Sequence, residues 1–376
     1  MKKVLIFFSM VLIMLINSCI KEPPPQHIQA NILGITVDDP AYVQTNDVGS
    51  TYSLVFSEQV DATAVAPIFS LSPGATISPA SGEPQDFSSP VTYTVRSESG
   101  NEREFTVQLI GNITLIFDFE DWVVTNPFAA EGRPDIEVPQ MADPLWASTN
   151  YGVATGLGQI NFGQYPSLDE YSTKPTQDSH SGNYAAQLTT IHGGSIIGVT
   201  RIPFIPGNLF RGNYAFSLSD PSGSLQFGIP HPSNLGIPIK FKGFYKYQPG
   251  EVFYGEGEVI DDNRIDEFNL YAVFFKVAKG ELGAAEFLNG HSIRNEQHAD
   301  YSKVVATAIL PDNTAKDSYT AFDLDFEYLQ EVDFEANDYK LTIVALSSKE
   351  GASYQVAPGS TLIIDDLEIV TDLFGN

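Results

Sequence analysis

Cysteine is almost absent from this sequence, since the 376 residues contain one, Cys19. A single cysteine has no partner within the chain, so the fold contains no internal disulfide. The protein must therefore be stabilised by burial of apolar side chains. A chain of this length usually divides into more than one hydrophobic core, and we expect two domains.

Basic residues are also scarce. The chain has 20 Lys and Arg against 47 Asp and Glu, which gives a formal net charge of -27 at pH 7. Proteins that bind nucleic acids need clustered Lys and Arg to release the counterions of the phosphate backbone. We therefore exclude nucleic acid as a partner. The acidic excess is compatible with cation binding, although most of these carboxylates are expected to be solvated.

The sequence motifs of common enzyme classes are missing as well. The chain has no Gly-x-Ser-x-Gly, His-Glu-x-x-His, Walker or dinucleotide-binding glycine pattern, and its six histidines lack the short spacings of metal ligands. Glycoside hydrolysis stays open, because it needs only two carboxylates at a suitable separation. The densest acid groups, expected to face solvent, are Asp261, Asp262, Asp266 and Glu267, and then Asp323, Asp325 and Glu327.

Residues typical of strands and turns dominate the composition. The chain has 4 Met, whereas it has 25 Phe, 17 Tyr, 30 Gly and 24 Pro. No segment shows a long apolar period of about 3.6 residues with helix caps at its ends. The composition therefore predicts an all-β protein with many turns.

Residues 28–111 are predicted to form a first β domain. Short alternating segments are separated by Gly, Pro, Ser and Asn, and residues 97–101 supply the turn of a hairpin. About seven such strands in roughly eighty residues fit an immunoglobulin-like β-sandwich. Since nothing here suggests catalysis, we expect a spacer. The clearest predicted strands are 32–37, 51–56, 91–95 and 104–109.

Residues 113–376 are predicted to form a larger β-sandwich of the jelly-roll (galactose-binding-like) type. Apolar residues alternate with acids over 322–328, as a half-buried strand requires, whereas 270–275 are apolar on both faces. The latter pattern favours a strand that is covered on each side. The clearest predicted strands are 114–120, 239–247, 268–277, 321–328, 339–346 and 361–370.

The first residues predict an export signal. Lys2 and Lys3 precede an apolar run over residues 4–16, and Ser18 then stands before Cys19. The apolar run is too short to cross a bilayer core of about 30 Å. We predict a signal peptide over residues 1–18 and a Pro-rich tether over residues 19–27.

The segment Ile16-Asn17-Ser18-Cys19 resembles the lipobox of bacterial lipoproteins. The resemblance implies that Cys19 carries a lipid and that the protein contacts the membrane through this anchor only. A resemblance to lipoproteins of Bacteroides-type bacteria favours the outer membrane, on its periplasmic face or at the cell surface. The alternative is an ordinary signal peptide in which Cys19 has no role.

Five fragments of the second domain, taken in order, resemble the putative carbohydrate metabolism domain of Bacteroides lipoproteins. They are LWASTN (145–150), NYAAQLTT (183–190), PGNLFRG (206–212), KGFYKYQPG (242–250) and GSTLIIDDL (359–367). The resemblance covers most of residues 113–371 and implies a glycan context without naming a reaction. Residues 72–79, 86–87 and 91–95 together resemble the immunoglobulin-like modules that act as spacers before larger domains in such lipoproteins.

A broader similarity to jelly-roll carbohydrate-binding modules implies a structural calcium ion. Such modules often open with an acid-bearing strand and close with an Asp-Asp strand, and these acids can hold calcium. The corresponding oxygens here belong to Asp118, Glu120 and Asp365, and Asn183 in the turn 181–183 can add a carbonyl. Carboxylate and carbonyl oxygens are the ligands that calcium prefers. The alternative is that these acids are solvated.

Residues 122–171 form a long stretch with little strand alternation that contains both Trp residues of the chain. Loops of this length are commonly functional or disordered. Because ligand sites combine aromatic rings with a few polar groups, we predict that a glycan binds here. Core packing is the alternative for each ring, above all for Trp146. The predicted ligand-binding residues are Trp122, Trp146, Asn150, Tyr151, Tyr165 and Tyr171.

Three functions are compatible with the sequence. The leading prediction is a non-catalytic lipoprotein that captures a polysaccharide or oligosaccharide. The second is a structural or adhesive surface protein that binds another envelope protein, and the third is a carbohydrate-active enzyme such as a glycoside hydrolase. Exposed aromatics on a concave face favour the first, a flat apolar patch favours the second, and two carboxylates across a cleft favour the third.

Overall fold

The structure is a computed structural model. It describes residues 27–39, 41–48, 50–56, 60–110, 115–128, 133, 136–160, 165–195, 201–217, 220, 223–282, 286–289 and 299–372. The predicted signal peptide, Cys19 and nearly all of the tether lie outside the described residues, as does the join at residues 111–113. In the part of the chain that is described, no helix has the length and apolar character needed to cross a membrane.

The N-terminal strands form a sandwich of two sheets. One sheet pairs β1 with β4, and the other has the order β2-β3-β7-β6-β5, in which β3 and β7 run parallel. The hairpin turn at residues 97–101 is present as predicted. The strands are β1 (Ile32–Val37), β2 (Tyr42–Val48), β3 (Thr51–Phe56), β4 (Pro67–Leu71), β5 (Thr76–Ser78), β6 (Val91–Arg96) and β7 (Glu102–Ile110).

Alternation along these strands builds the first core. Tyr93 and Val95 of β6 are fully buried, whereas Thr94 between them is half-buried and Thr92 and Arg96 on either side are exposed. The Tyr93 ring packs against Phe69 of the facing sheet with centroids 4.6 Å apart. The strand period of two therefore directs one face of each sheet inward, as the sequence pattern predicted.

The C-terminal region is also made almost entirely of strands. They are β8 (Ile116–Phe117), β9 (Trp122–Thr125), β10 (Val138–Met141), β11 (Trp146–Ala147), β12 (Thr173–Thr176), β13 (Ala185–Thr189), β14 (Ile191–Ser195), β15 (Arg201–Ile205), β16 (Asn208–Tyr214), β17 (Leu225–Phe227), β18 (Ile229–Pro230), β19 (Ile237–Gln248), β20 (Asn269–Ala278), β21 (Val304–Ile309), β22 (Lys316–Asp325), β23 (Glu327–Tyr328), β24 (Asn337–Leu346) and β25 (Thr361–Asp372).

Two antiparallel sheets make up the larger sandwich within the described ranges. The first has the order β11-β16-β24-β20-β21-β23, with β17 on β16 and β18 on β24. The second has the order β12-β13-β25-β19-β22, with β8 on β25. β9 pairs with β10 and β14 with β15 in two separate hairpins. The prediction of two β-sandwiches in an all-β chain is confirmed.

The main core lies between these two sheets. Phe241, Tyr245 and Tyr247 of β19 point inward, while Lys240 and Lys246 alternate with them on the outer face. Leu270, Ala272 and Phe274 of β20 meet them from the other sheet. Aromatic side chains of this size contribute most of the buried apolar area.

β20 is covered on both faces, as its continuous apolar pattern predicted. Tyr271, Val273 and Phe275 belong to a second buried layer on the outer side of the same sheet, together with Leu288. Strand β22 has the predicted half-buried pattern, because its acids Asp323 and Asp325 are exposed. Both contact Lys240, at 2.8 and 2.9 Å.

The stretch over residues 122–171 is more ordered than the sequence predicted. It contains β9, β10, β11, the helix α1 (Asn150–Ile160) and a short 3-10 helix (Leu168–Glu170). The sequence does not predict this helix because it contains three glycines, each of which disfavours a helix by about 1 kcal/mol relative to Ala. Burial of Val153 and Ala154 in a satellite core offsets this cost. Other 3-10 helices are Ala62–Ala64, Ser233–Leu235, Glu256–Glu258, Ala299–Lys303 and Gly351–Ser353.

The two sandwiches touch at one small apolar cluster. Val55 of β3 packs with Leu145 and Ile229, and these side chains are 0%, 1% and 2% exposed. Each sandwich also has a core of its own. Independent folding of residues 28–111 and 113–376 stays a prediction.

Phe274 offers a test of the sandwich core. Its ring is fully buried and stacks on Tyr339 with centroids 4.9 Å apart. We expect Phe274→Ala to lower the free energy of unfolding by about 3–5 kcal/mol, because it leaves a cavity in a packed core. Urea denaturation measures this change. Ile309→Ala, at a site 56% exposed, is the control and should cost less than about 0.5 kcal/mol; equal losses would contradict the packing described.

Candidate functional site

A cavity of about 270 Å³ lies at the edge of the larger sandwich, beside the contact with the N-terminal sandwich. The hairpin β9-β10, strand β11, the start of α1 and the end of β16 form its walls. Its volume is close to the lower end of the roughly 300–1,000 Å³ typical of ligand sites. The lining residues are Asp47, Trp122, Gln140, Met141, Trp146, Ala147, Ser148, Tyr151, Leu209, Tyr214, Ala215 and Phe216.

The two Trp residues of the chain both line this cavity. Trp122 is half-buried, and its indole Nε1 donates a hydrogen bond of 2.9 Å to the Phe119 carbonyl. Phe119 adopts a left-handed conformation with φ of 54°, which is uncommon for a bulky residue. Trp146 is 5% exposed and belongs to the main core. Trp122 thus presents a fixed, accessible ring, and Trp146 forms the floor.

Three further rings come from α1 and from the end of β16. Tyr151 stacks on Phe128 with centroids 4.9 Å apart and meets Phe216 edge-on at 6.0 Å. Gly152 permits the close approach of Tyr214, because a Cβ atom there would lie 2.3 Å from the Tyr214 hydroxyl. Burial raises the pKa of Tyr214, so its hydroxyl stays protonated. Gly152 therefore leaves room for the Tyr214 side chain at the wall of the cavity.

Polar groups complete the lining. Gln140 and Ser148 are half-buried and supply an amide and a hydroxyl, while Asp47 supplies a carboxylate from β2 of the N-terminal sandwich. Asp47 is exposed, but the surrounding protein removes part of the water around its carboxyl group. This desolvation raises the pKa of the carboxyl above its ordinary value. Apolar rings beside a few hydrogen-bonding groups suit a ligand with apolar faces and many hydroxyls.

The structure brings together three of the six predicted ligand-binding residues, Trp122, Trp146 and Tyr151. Asn150 is 1% exposed, and its Nδ2 donates to the carbonyls of Pro139 (3.0 Å) and Thr173 (2.6 Å). It therefore ties α1 to the neighbouring strands and does not line the cavity. Ligand contact stays a prediction for all six residues.

Tyr171 and Tyr165 lie in the satellite core behind the cavity wall. Tyr171 is 1% exposed, and its hydroxyl donates to the Glu137 carbonyl at 2.8 Å. The Tyr165 hydroxyl accepts a hydrogen bond from Arg133. Both rings hold the segment 122–171 in place, and neither lines the cavity.

Several residues of this cavity have no distinguishing pattern in the sequence. Tyr214 and Phe216 come from the end of a different strand, and Asp47 comes from a region interpreted as a spacer. Gln140 and Ser148 lie within the predicted segment but carry no pattern of their own. No sequence signal joins them, because their proximity depends on the pairing of β11 with β16.

The acids predicted to hold calcium make other contacts. Both carboxylate oxygens of Glu120 accept hydrogen bonds from the Asn183 N–H, at 2.8 and 3.0 Å, and one also accepts from the Tyr184 N–H at 3.0 Å. The pKa of Glu120 is lowered, and the hydrogen bond from the Tyr184 N–H makes the largest contribution. Asp365 accepts from the N–H groups of His180 and Ser181, at 2.7 and 3.2 Å.

Burial raises the pKa of Asp365, and the hydrogen bonds from the loop partly oppose this effect. Asp118 is exposed, with one oxygen 3.3 Å from the Glu120 N–H. Within the described residues, no three His, Cys, Asp or Glu side chains converge as a metal ion requires. These hydrogen bonds are those of acids that anchor the loop at residues 180–184. Calcium binding by Asp118, Glu120, Asn183 and Asp365 stays a prediction.

A second cavity, of about 160 Å³, contains acids that the sequence singled out. Oδ2 of Asp266 accepts hydrogen bonds from Ser348 (2.6 Å), the Ala357 N–H (2.8 Å) and Ser360 (2.8 Å). Burial raises the pKa of Asp266, and these hydrogen bonds partly oppose it. Glu267 is paired with Lys349 at 2.9 Å. These contacts make Asp266 a buried anchor of the fold.

Two family models match the chain in separate regions. The model described as "Putative carbohydrate metabolism domain" matches residues 118–370, which are more than half of the chain. The model described as "SGBP, N-terminal" matches residues 32–109. A search of curated proteins found no match.

Two solved structures from Bacteroides resemble the chain over nearly their whole length. A putative glycoside hydrolase from Bacteroides thetaiotaomicron VPI-5482 is 28% identical with a TM-score of 0.76, and the alignment covers 93% of this chain and 99% of that one. A putative glycoside hydrolase from Bacteroides vulgatus ATCC 8482 is 30% identical with a TM-score of 0.55, and the alignment covers 69% of this chain and 98% of that one.

The Glu120 contacts lead to a prediction that separates anchoring from calcium binding. We expect Glu120→Ala to lower the melting temperature by the same amount in calcium and in chelator, because accepting N–H groups needs no ion. Thermal unfolding measured in both buffers tests this. Glu120→Gln keeps an acceptor oxygen and should lose less. A loss of stability confined to the calcium buffer would instead support the predicted calcium site.

Proposed function

The chain belongs to the putative carbohydrate metabolism domain family, and from this premise we propose that it binds glycans in the aromatic cavity without cleaving them. The proposed location is the cell envelope. The basic and apolar pattern of residues 1–18 and the lipobox-like segment before Cys19 support that location.

The half-buried rings of the cavity carry the proposal. Trp122 and Tyr151 combine partial exposure with a fixed orientation, the first through its hydrogen bond to Phe119 and the second through its stack on Phe128. A rigid ring provides contact area at a low cost in conformational entropy. The C–H face of a pyranose packs on such a ring, and Gln140 supplies an amide for its hydroxyls. This combination favours a saccharide ligand.

The number of carboxylates favours binding over cleavage. Asp47 is the one carboxylate among the described residues that line the cavity. Hydrolysis of a glycosidic bond by the usual retaining or inverting route needs two, at separations of about 5–10 Å. The two similar structures are named as putative glycoside hydrolases, so hydrolysis is the alternative that an assay must separate from binding.

An exposed apolar segment supports a second candidate function. Val259, Ile260 and Ile265 are 66%, 54% and 74% exposed within one short stretch of chain. Neighbouring apolar residues of this size at a surface are typical of sites that bind another protein. An envelope protein that contacts this stretch would be a partner in addition to the glycan.

Trp122 provides the direct test of glycan binding. We expect Trp122→Ala to raise the Kd for the bound oligosaccharide about tenfold or more, because a stacking contact of at least about 1.4 kcal/mol is lost. Trp122→Phe, which keeps a ring, should lose less. Titration calorimetry with the best ligand from a glycan array measures the change, and urea denaturation checks that the variants fold.

Tyr184→Ala is the matched control, since Tyr184 is 38% exposed and lies outside the cavity. It should leave the affinity unchanged. Normal binding by a folded Trp122→Ala protein would place the ligand elsewhere. If new reducing ends appear when the protein is incubated with the oligosaccharide, the protein cleaves the glycan, and the proposal of binding without cleavage is wrong.

Cys19 provides the test of the envelope location. If it carries the lipid, Cys19→Ala should move the protein from the membrane fraction to the soluble fraction, because no other anchor is proposed. Cys19→Ser is a second variant without the thiol and should behave in the same way. Fractionation followed by immunoblotting measures the distribution. A variant that stays wholly in the membrane fraction would rule out lipid anchoring through this residue.

A further inference from the structure

We infer that the ligand cavity is shared by the two sandwiches, and that Asp47 of the N-terminal sandwich is a specificity-determining residue that makes it select neutral over anionic glycans. This inference rests on the proposed glycan binding. It also changes the role of residues 28–111, which the sequence presents as a spacer, because they supply a side chain to the binding site.

The contact between the sandwiches lies directly beside the cavity. Val55 of β3 packs with Leu145 and Ile229, and Leu145 immediately precedes the cavity residue Trp146. Strand β2, which carries Asp47, pairs with β3 in a register that places Asp47 opposite Tyr52. The buried apolar contact therefore fixes the strand pair that brings the Asp47 carboxylate to the cavity wall.

The charge of the cavity comes from Asp47. Among the described lining residues it is the one side chain that is charged near neutral pH, since the others are apolar, aromatic, amide or hydroxyl groups. No lysine or arginine belongs to the described lining. A ligand in this cavity therefore meets a single negative charge at its wall.

Arg211 packs on the cavity residue Trp146, but its charge is not available to a ligand. The guanidinium of Arg211 lies 5.4 Å from the Trp146 ring centroid, but Arg211 is 1% exposed and forms an ion pair with Asp143. Trp146 separates it from the cavity. The positive charge of Arg211 is thus neutralised by Asp143 and does not line the site.

These observations predict how the cavity discriminates between ligands. A hydroxyl of a neutral sugar can donate to the Asp47 carboxylate, and a hydrogen bond to an ionised acceptor is stronger than one between neutral groups. A uronate or sulfate would bring a second negative charge to the same wall, where the described lining holds no Lys or Arg to offset it. Like charges a few ångströms apart in a partly desolvated site repel each other.

The test compares matched ligands on the full chain. The probes are hexasaccharides with glucose, mannose and galactose backbones, each as the neutral form and as its C6 uronate, together with a wider array of neutral and anionic glycans. Wild type should bind a neutral member at least about tenfold more tightly than its uronate. Asp47→Asn should remove most of this discrimination by gaining affinity for the uronate.

Asp38→Asn is the matched control, because Asp38 is an exposed acid of the same sandwich that does not line the cavity. It should keep the discrimination of wild type. High salt should also weaken the discrimination of wild type, because it screens the repulsion, and should leave Asp47→Asn unchanged.

Two results would overturn the role of Asp47 while glycan binding itself stands. One is equal affinity of wild type for neutral and uronate forms, and the other is full discrimination by a folded Asp47→Asn protein. A wild-type chain that binds none of the probes and no glycan of the array would instead count against the proposed function, and against this inference with it.

Discussion

Trp146 belongs to the main core and lines the aromatic cavity at the same time. Its indole meets Phe117 edge-on at 5.2 Å and Phe119 at 5.4 Å, and the Arg211 guanidinium lies 5.4 Å from its ring. Arg211 is buried and forms an ion pair with the half-buried Asp143, so loss of Asp143 would leave a buried charge unpaired. The floor of the cavity is therefore as rigid as the core.

Strand β11 and the residue before it position the other parts of the cavity. Strand β11 carries Trp146 into the sheet through its pairing with β16, and the end of β16 carries Tyr214 to the opposite wall. Leu145, one residue earlier, makes the apolar contact with Val55 of the N-terminal sandwich. Residues 145–147 thus connect the main core, the cavity and the N-terminal sandwich.

Sequence reasoning predicted the parts of the molecule that depend on local pattern. The alternation in β19 and β22 and the two-sided apolar run of β20 identified both strands and the faces they bury. The helix α1 was missed, because its glycines weaken the helical signal and only tertiary packing stabilises it. Trp122, Trp146 and Tyr151 were singled out, whereas Asp47, Tyr214 and Phe216 could not be, since strand pairing and the contact between the sandwiches bring them to the cavity.

A crystal structure of the chain with its tightest-binding oligosaccharide tests the central claim most directly. We expect a sugar ring packed on Trp122 at about 4–5 Å, with a hydroxyl within about 3 Å of an Asp47 oxygen. A sugar bound only at the second cavity, which contains Asp266 and Glu267, or on the outer faces of the sheets, would contradict glycan binding in the aromatic cavity.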